Sequence, residues 1–582
     1  MTAVMTHPVP DRHGSNLYSD DAEFNALLSL YLPADLHAHL QPHLLRLGAL
    51  AGGVLDELAH SADQHPPTLE PRSRTGLDVQ RIVKHPAYVE MERLAFGEFG
   101  LAALSHRGGV LGWPAPMPPA AKYALSYLFV QAEFGLCCPL SMTDSLTRTL
   151  RKFGAPALVE KYFDALTTQN IDALAQGAMF MTEQAGGSDV GATTTRAEPA
   201  QGTASGTYRL HGDKWFCSNP DAALAMVLAR IDGAAAGLGG VSLFLLPRVL
   251  DDGTANRFRI LRLKNKLGSR SMASGEIRLE GALAYLVGEP GRGFQQMADM
   301  VNHSRLSNGM RAAGLMRRAC TEALFVARER QAFGKRLIDM PLMQRQLLKI
   351  MLPTEQARCM VFQAAQALQR SDAGGEDAAG AYALTRLLTP LIKFRACRDA
   401  RKVTGDAMEV RGGCGYIEEW ADPRLLRDAH LGSIWEGTSN IVALDVLRAI
   451  RRDAALPAWQ AHVQALLAGS TLAPAARAVF EAALQRCARL AAQLAATPGA
   501  SDPAARQLAS ALYHVTTACA LAWEAGQIGS APRMLLAQAV LKHRALPRDP
   551  MQLDAAPAWL AQALGQAPAP VALDQINLFQ EQ

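Results

Sequence analysis

The sequence predicts an α+β fold that is mainly helical, in which a small antiparallel β domain lies between two helical domains. Apolar residues recur at three- and four-residue steps before residue 177 and again after residue 294, which is the period of an amphipathic helix. Between these regions, short apolar or alternating segments are separated by turn residues, as expected of strands. We therefore predict domains at 1–176, 177–294 and 295–451, followed by an additional helical segment at 452–582.

The N-terminal region is predicted to be helical from about residue 21 to residue 176. The segments AEFNALLSLYL, YVEMERLAFGEFGLAALS and AKYALSYLFVQAEFGL carry apolar residues at helical spacing, and Pro and Gly punctuate them. The β domain begins at Gly177, where segments such as GTYRLHGDKWF, GVSLFLLPR and RFRILRL follow one another with turns between them. It ends near GEPGRGF.

Helical periodicity returns at Gln295 and continues to about Arg451. The stretch SDAGGEDAAG interrupts it, and we interpret this stretch as a loop between helices. Residues 452–582 are rich in Ala and Leu and are broken by Pro, which favours helices with a loose C-terminal end. No apolar run reaches the roughly 18 residues of a membrane span, and the N-terminus lacks the apolar core of a signal peptide.

The overall composition argues against several functional classes. Charged residues make up 19% of the 582 residues and the net charge is +4, which gives no strong electrostatic case for nucleic acid or a membrane surface. The nine cysteines are scattered, without a C-x-x-C pair or the spacing of a zinc site. We therefore expect a reduced, cytoplasmic protein without a metal site.

A candidate ligand-binding turn lies in GAMFMTEQAGGSDV, residues 177–190. The two adjacent glycines allow a ligand to approach the backbone closely, and Thr182 and Ser188 offer hydroxyl groups. In isolation, Gly-Gly-Ser is more often a simple turn. Trp215, in KWFCSN, could cover the face of a flat cofactor, although a Trp that fills the core is the better interpretation of that residue alone.

The most informative stretch is GSIWEGTSNIVALDVL, residues 432–447. Thr438 and its two successors are suitable N-caps for the helix that follows, which places Glu436 beside a helix N-terminus. An acid there complements the helix dipole, an effect of roughly 0.3 to 1 kcal/mol. Alternatively, a carboxylate walled by Trp435 and Ile434 is desolvated into a general base. From position alone the first explanation is favoured.

Two further motifs complete an ordered set. The segment ARERQAFGKRL holds Arg330 and Phe333, and MEVRGGCGYIEE holds Gly412 and Gly413. Five motifs follow one another along the chain: a Thr/Gly-Gly-Ser-Asp turn, a strand Trp, Arg-x-x-Phe-Gly-Lys, Gly-Gly-x-Gly and Trp-Glu-Gly-Thr. In this order, over roughly residues 80 to 450, the sequence resembles the acyl-CoA dehydrogenase flavoproteins. Within that family, the chain resembles the branch of AidB, a bacterial adaptive-response protein. The segments that carry this resemblance are SNLYSDD, LKNKLGSRSMAS, AMEVRGGCGY and the C-terminal segment.

The resemblance implies an FAD site that a neighbouring subunit completes, and hence a homo-oligomer, either a tetramer or a dimer. The segment from Met181 would lie along the flavin and its pyrophosphate, and Arg330 and Phe333 would reach the adenine half of the FAD across a subunit interface. The residues implied in FAD binding are Met181, Thr182, Ser188, Trp215, Phe216, Cys217, Ser218, Arg330, Phe333, Gly412, Gly413, Ile434, Trp435, Thr438 and Asn440.

The resemblance also gives Glu436 the role of the catalytic base, which takes the α-proton of an acyl-CoA while flavin N5 accepts the β-hydride. Arg305 and Gly437 match positions beside the substrate, and an electron-transfer flavoprotein is the implied electron acceptor. The sequence departs from most members at Glu409, where a Gln is usual, and at Cys217 with its successor, where a Thr follows the Trp. An acid near the FAD pyrophosphate is unfavourable unless it is turned away or paired.

The alternative is an AidB-like protein that binds DNA or counters alkylation stress, with weak or vestigial dehydrogenase activity; a third hypothesis is an FAD-binding scaffold without turnover. The basic stretch Lys393–Lys402 would spread its charges around more than one helix face. Residues 452–582 carry nine Lys and Arg against eight Asp and Glu, which is nearly neutral. The retained Glu436 favours the dehydrogenase.

Overall fold

The computed structural model describes residues 9–202, 204–551, 559–567 and 572–579, and it confirms the predicted mainly helical α+β fold. The chain divides into two units. The helical unit comprises Met1–Val54, Asn308–Ile434 and Ser439–Gln582, and the mixed unit comprises Leu55–Ser307 and Trp435–Thr438. The predicted domain boundaries at residues 176, 294 and 451 stay a prediction.

Helices make up most of the chain. In chain order the helices are α1 (Ala22–Tyr31), α2 (Ala34–Ala51), α3 (Val54–Gln64), α4 (Pro86–Glu92), α5 (Pro119–Phe129), α6 (Cys137–Phe153), α7 (Pro156–Thr167), α8 (Gly293–Glu329), α9 (Pro341–Ala373), α10 (Ala378–Arg411), α11 (Ala421–Gly432), α12 (Ser439–Arg452), α13 (Ala455–Ala468), α14 (Pro474–Ala495), α15 (Ala505–Ile528), α16 (Ala531–Val540) and α17 (Trp559–Ala563). Within the described ranges, no helix is long and apolar enough to cross a membrane.

The core of the helical unit follows from amphipathic spacing. In α1 the residues Phe24, Leu28 and Tyr31 share one face and are buried, and Asp21 caps the helix by accepting a hydrogen bond from the main-chain N–H of Phe24 at 3.2 Å. Helices α9 and α10 pack along each other, and α15 packs against α9, α10, α12 and α16. The C-terminal segment is therefore part of this core.

Strands occur mainly in the mixed unit. In chain order the strands are β1 (Thr68–Arg72), β2 (Asp78–Val83), β3 (Gly177–Phe180), β4 (Arg196–Pro199), β5 (Thr207–Ser218), β6 (Leu224–Ile231), β7 (Val241–Pro247), β8 (Phe258–Leu263), β9 (Ser274–Val287), β10 (Gln331–Ala332) and β11 (Lys335–Arg336). The last two form a short hairpin in the helical unit.

The seven strands β3 to β9 form one sheet in the order β3-β6-β4-β5-β9-β7, with β8 paired to β9. Because β6 also pairs with β7, the sheet closes on itself. Most pairs are antiparallel, as predicted, but β6 runs parallel to β3 and β4. Phe180, Leu210, Phe244 and Ile277 fill the interior of this closed sheet.

The sequence did not predict the antiparallel hairpin β1–β2, which lies in a region expected to be helical. Its only buried apolar side chain is Ile82. A glutamine in the hairpin explains its place: Oε1 of Gln80 accepts a hydrogen bond from the main-chain N–H of Ile260 in β8 at 2.9 Å. The predicted inter-helix loop is shorter than expected, since α9 ends at Ala373 and α10 begins at Ala378.

Candidate active site

The tight turn between α11 and α12 carries Glu436. Glu436 has a φ of 55° and Gly437 a φ of 101°, and a non-glycine residue in this left-handed region is uncommon unless its surroundings hold it there. Oγ of Ser304 donates a hydrogen bond to Oε1 of Glu436 at 2.5 Å. Nε of Arg305 donates to the main-chain oxygen of Glu436 at 2.8 Å. Two consecutive residues of α8 therefore hold both the carboxylate and the backbone of this turn.

An aromatic pair lies directly beside Glu436. The ring of Trp435 stacks on that of Phe134, with centroids 5.9 Å apart and an interplanar angle of 23°. Ile434 has 60% of its surface exposed, so its side chain does not form the apolar wall that the sequence suggested. Glu436 itself is half-buried. Of the two apolar neighbours that the sequence suggested, only Trp435 is packed against another ring, and its partner Phe134 is a residue that the sequence did not single out.

The predicted flavin turn and the predicted strand Trp come together in the mixed unit. The main-chain N–H of Trp215 donates to the main-chain oxygen of Thr182 at 2.9 Å. Pairing of β5 with β9 is irregular between Lys214 and Cys217, which places Trp215 in a bulge, and bulges commonly re-aim side chains next to binding sites. Met181 and Thr182 are half-buried, whereas Ser188 is exposed.

A buried ion pair supports this turn. Nζ of Lys214 donates to Oε1 of Glu183 at 2.7 Å, and the Glu183 carboxylate also accepts from the hydroxyl and main-chain N–H groups of Thr194 and Thr195. Burial acts to raise the pKa of Glu183, but Lys214 and these hydrogen bonds lower it to about 2. The carboxylate is thus ionised and fully engaged, and it fixes the start of the Gly-Gly-Ser turn.

The remaining residues of KWFCSN differ in exposure. Phe216 is 54% exposed, Ser218 is half-buried and Cys217 is fully buried in the sheet interior. Any contribution of Cys217 to a ligand must therefore come from its main chain. Nζ of Lys264 lies 3.4 Å from the ring centroid of Trp215 and 4.6 Å from that of Phe216, within range of cation–π attraction.

A second group of predicted residues lies in the helical unit. Nη1 of Arg330 donates to the main-chain oxygen of Arg411 at 3.0 Å, next to Gly412, which has a φ of 76°. A Cβ at Gly412 would lie 3.5 Å from the Arg330 guanidinium, whereas one at Gly413 would meet nothing within 4 Å. Phe333 is 97% exposed at the tip of the β10–β11 hairpin, with a φ of 52°.

Arg411 anchors this second group at the end of α10. Its buried guanidinium pairs with Glu322 at 2.7 Å and with Asp422 at 2.8 Å, and it lies 4.2 Å from the ring centroid of Trp420. The carbonyl that Arg330 contacts is therefore fixed in position. Glu409, which departs from the usual Gln, is exposed on the last turn of α10.

The structure thus collects the predicted site residues in two groups. Thr438 and Asn440 are exposed at the start of α12 and Arg305 is half-buried on α8. Within the described ranges, no group of three or more His, Cys, Asp and Glu side chains could hold a metal ion. Within the mixed unit, the Glu436 turn offers a half-buried carboxylate that hydrogen bonds from α8 hold, and the Thr182 turn with the Trp215 bulge offers hydroxyl and main-chain groups.

Comparison with known proteins identifies the family. Acyl-CoA dehydrogenase family member 11 of Caenorhabditis elegans is 33% identical over 441 residues, which cover 74% of this chain and 70% of the relative. The AidB protein of Escherichia coli (strain K12) is 35% identical over 465 residues, covering 78% of this chain and 81% of that protein. The chain belongs to the acyl-CoA dehydrogenase family.

Domain and structural matches agree with this family. The Adaptive response protein AidB N-terminal domain matches residues 8–173, and the acyl-CoA dehydrogenase middle and C-terminal domains match 178–282 and 291–451. The crystal structure of Caenorhabditis elegans ACDH-11 in complex with C11-CoA superposes with a TM-score of 0.85 at 28% identity, covering 94% of each chain. The resemblance to the AidB branch of the acyl-CoA dehydrogenases is therefore confirmed.

Three residues that support this candidate site were not predicted from the sequence. Ser304 directly precedes Arg305 in NHSR, and that adjacency was the one available signal. Glu183 lies between Thr182 and the two adjacent glycines of the predicted turn, but a single acidic residue in a turn does not reveal that it pairs with a lysine. Phe134 carried no signal, because only tertiary packing brings it to Trp435.

Proposed function

We propose that this protein is an FAD-dependent acyl-CoA dehydrogenase in which Glu436 removes the α-proton of the acyl group. The observation that carries the proposal is the geometry of Glu436: its carboxylate and its main chain are both held by hydrogen bonds from α8. A residue that only complements a helix dipole does not require this double restraint. The match to a relative solved with C11-CoA supports an acyl-CoA as the substrate.

The residues present fit FAD. In the mixed unit, the half-buried Thr182 next to the Trp215 bulge offers a hydroxyl and backbone to a flat ring system. In the helical unit, open space beside Gly413 and the cationic Arg330 suit a phosphate-bearing ligand. When bound, FAD accepts the β-hydride at its N5 atom and passes the two electrons to an electron-transfer flavoprotein.

The chain itself supplies the proton chemistry. Breaking the α C–H bond sends its proton to the Glu436 carboxylate, and the product is the 2-enoyl-CoA. The main-chain N–H of Glu436 would donate to the thioester oxygen and stabilise the charge that develops there. The stacked rings of Trp435 and Phe134 place an apolar pair at the residue that precedes Glu436. Arg305 holds the turn in place by donating a hydrogen bond to the main-chain oxygen of Glu436.

An anaerobic titration tests this function. The purified protein with bound FAD is mixed with straight and branched acyl-CoAs of increasing length, and the visible flavin absorbance is followed. We expect one chain class to bleach the flavin, and Glu436→Gln to abolish bleaching while FAD stays bound. If no acyl-CoA bleaches a fully loaded protein, the dehydrogenase proposal is wrong.

The proposal includes a homo-oligomer in which the second group of residues completes the FAD site of a neighbouring subunit. The exposed Phe333 supports this, since a hairpin tip that presents a Phe in a left-handed conformation is costly without a ligand or partner to cover it. We expect Phe333→Ala to reduce retained FAD several-fold without changing the thermal midpoint of the apoprotein. Unchanged FAD content after gel filtration would remove Phe333 from the site.

A DNA-binding function of the AidB type is a second candidate, and one observation favours it. Within the helical unit, Arg398 lies near Arg395, Arg401 and Arg506, and burial together with these like charges lowers the pKa of Arg398. Other charges of the basic stretch are paired internally: Arg395 with Asp399 and Lys402 with Asp406. Salt-dependent binding of duplex DNA that Arg398→Gln weakens would support this function, and binding unaffected by that change would not.

A further inference from the structure

We propose that Ser304 is the positioning residue for Glu436, and that a buried cluster fixes the segment that carries Ser304. The cluster is formed by residues of α5, α6 and α8 together with one residue from the turn before α5. This inference rests on the proposed function, because it assigns how the proposed base is held. We call the buried set the Asp144 cluster. Its members are His106, Lys122, Asp144 and His303.

Ser304 is suited to this role by its contacts. It is 2% exposed, and its hydroxyl points to the Glu436 carboxylate with an Oγ–Oε1 distance of 2.5 Å. Hydrogen bonds to an ionised acceptor are short and about twice as strong as neutral ones. A rotation about the side-chain bonds of Glu436 would move its carboxylate away from any fixed substrate carbon. The hydroxyl of Ser304 opposes that rotation.

The Asp144 cluster lies one residue from Ser304 on the same helix. Oδ2 of Asp144 accepts from Lys122 at 2.8 Å and from Nε2 of His303 at 2.9 Å, and Oδ1 accepts from Nε2 of His106 at 2.8 Å. Burial, and then the charge of Lys122, lowers the pKa of His303 to about 4. Burial acts to raise the pKa of Asp144, but Lys122 and the two histidines hold it well below its usual range. The cluster therefore holds an ionised Asp144 beside an uncharged His303.

Stability alone does not account for such a cluster. Buried ion pairs often contribute no more than well-packed apolar side chains, whereas hydrogen bonds in a buried polar network fix the positions of the side chains that make them. Here the fixed geometry reaches the proposed base by a second route. Ser141 lies one turn before Asp144 on α6, and its Oγ is 3.4 Å from that of Ser304. Helix α6 thus contacts two consecutive residues of α8, His303 and Ser304.

Single-turnover flavin reduction at saturating acyl-CoA tests the role of Ser304. We expect Ser304→Ala to slow reduction about 10- to 100-fold, with FAD content and the half-saturating acyl-CoA concentration changed less than about two-fold. Ser304→Thr should recover most of the rate, because it retains the hydroxyl. Ser145→Ala is the matched control, since Ser145 is a fully buried serine of α6 whose hydroxyl has no partner in the described part of the chain.

The outcomes separate this inference from the function on which it rests. Reduction of the wild type with an equally fast Ser304→Ala variant would overturn the positioning role and leave the dehydrogenase intact. A loss of rate that Ser304→Thr does not recover would also overturn it. If no acyl-CoA reduces the wild-type flavin, the proposed function fails and the inference falls with it.

A second pair of variants tests the Asp144 cluster without creating an unpaired buried charge. His303→Leu removes the bond to Asp144, whereas the amide of His303→Gln can still donate it. We expect His303→Leu to slow flavin reduction about 10-fold at saturating acyl-CoA and His303→Gln to stay within about two-fold of the wild type. Equal rates for the two variants would show that the cluster does not position Ser304.

Discussion

Each of the two units buries a cluster of charges, and the two clusters are built differently. The mixed unit has the Asp144 cluster, in which one carboxylate serves a lysine and two imidazoles. The helical unit has what we call the Arg533 network, in which guanidinium groups bridge several carboxylates. Its members are Asp21, Glu23, Arg317, Glu355, Arg358, Glu524 and Arg533.

The chemistry of each cluster indicates its role. Arg533 contacts Glu23 at 3.0 Å, Glu355 at 2.8 Å and Glu524 at 2.5 Å, so it joins the first and last parts of the sequence. Arginine stays charged at any relevant pH, which suits a permanent connection. The Asp144 cluster depends on neutral imidazole and lies next to Ser304. We infer that the Arg533 network stabilises the helical unit, whereas the Asp144 cluster positions the proposed base.

The largest expected effect is that of breaking the Arg533 network. Arg533→Met leaves buried carboxylates without their cation, and we expect it to destabilise the protein by about 3 to 5 kcal/mol. Thermal unfolding measures this change. Arg196→Met is the matched control, because Arg196 pairs with Asp232 on the surface at 2.8 Å and exposed pairs contribute little. Equal losses in the two variants would contradict the stabilising role.

A pH titration of stability addresses the Asp144 cluster. The pKa of His303 is lowered to about 4 from an ordinary value of 6.5, so between these pH values the unfolded chain binds a proton that the folded chain does not. The contribution of His303 to the free energy of unfolding is therefore fully present above pH 6.5. It is lost as the pH falls toward 4, and this loss is on the order of 3 kcal/mol.

Neither His303→Leu nor His303→Gln carries a titrating group at this position, so both should reduce the slope of unfolding free energy against pH between pH 4 and 6.5. The slope that remains comes from other buried histidines: burial also lowers the pKa of His462 to about 4 and that of His514 well below its usual range. Glu355, whose pKa is lowered to about 2, contributes a loss only at more acidic pH. A curve unchanged in both variants would mean that His303 is not held neutral.

A smaller effect, on FAD binding, is expected from breaking the Glu183–Lys214 pair. Like the two clusters, this pair is a buried carboxylate held by a cation. Glu183→Gln keeps the shape but removes the charge that holds Lys214 and the threonine hydroxyl groups. We expect FAD binding to weaken about 10-fold, since the turn after Thr182 loses its anchor. Fluorescence titration of the apoprotein with FAD measures this. Asp213→Asn is the control, because Asp213 precedes Lys214 and pairs on the surface with Arg278. Equal weakening of FAD binding in the two variants would contradict the anchoring role of Glu183.

The fold class was predictable because helical and strand periods differ clearly along the chain. The hairpin β1–β2 was not, since it buries little of its own surface and depends on Gln80 reaching β8. The two parallel pairings of β6 also carried no local signal. In these cases the decisive contacts join residues far apart in sequence, which spacing rules do not describe.

For the candidate site, the sequence supplied the motifs and the structure supplied their supports. Glu436 and Trp215 were singled out by ordered motifs, and their roles stay a prediction. Ser304 belongs to none of these motifs, and the spacing of the basic stretch Lys393–Lys402 predicts only that its charges spread around more than one helix face. The structure buries Lys393 against the carbonyl of Gly432, a contact that residue type alone does not reveal.

The most direct test of the central claim is the rate of flavin reduction in wild type and Glu436→Gln with an acyl-CoA deuterated at its α carbon. If Glu436 takes the α-proton, deuterium should slow the wild type several-fold, and Glu436→Gln should be about 100- to 10,000-fold slower with FAD fully bound. A Glu436→Gln variant that reduces its flavin at the wild-type rate would contradict the account.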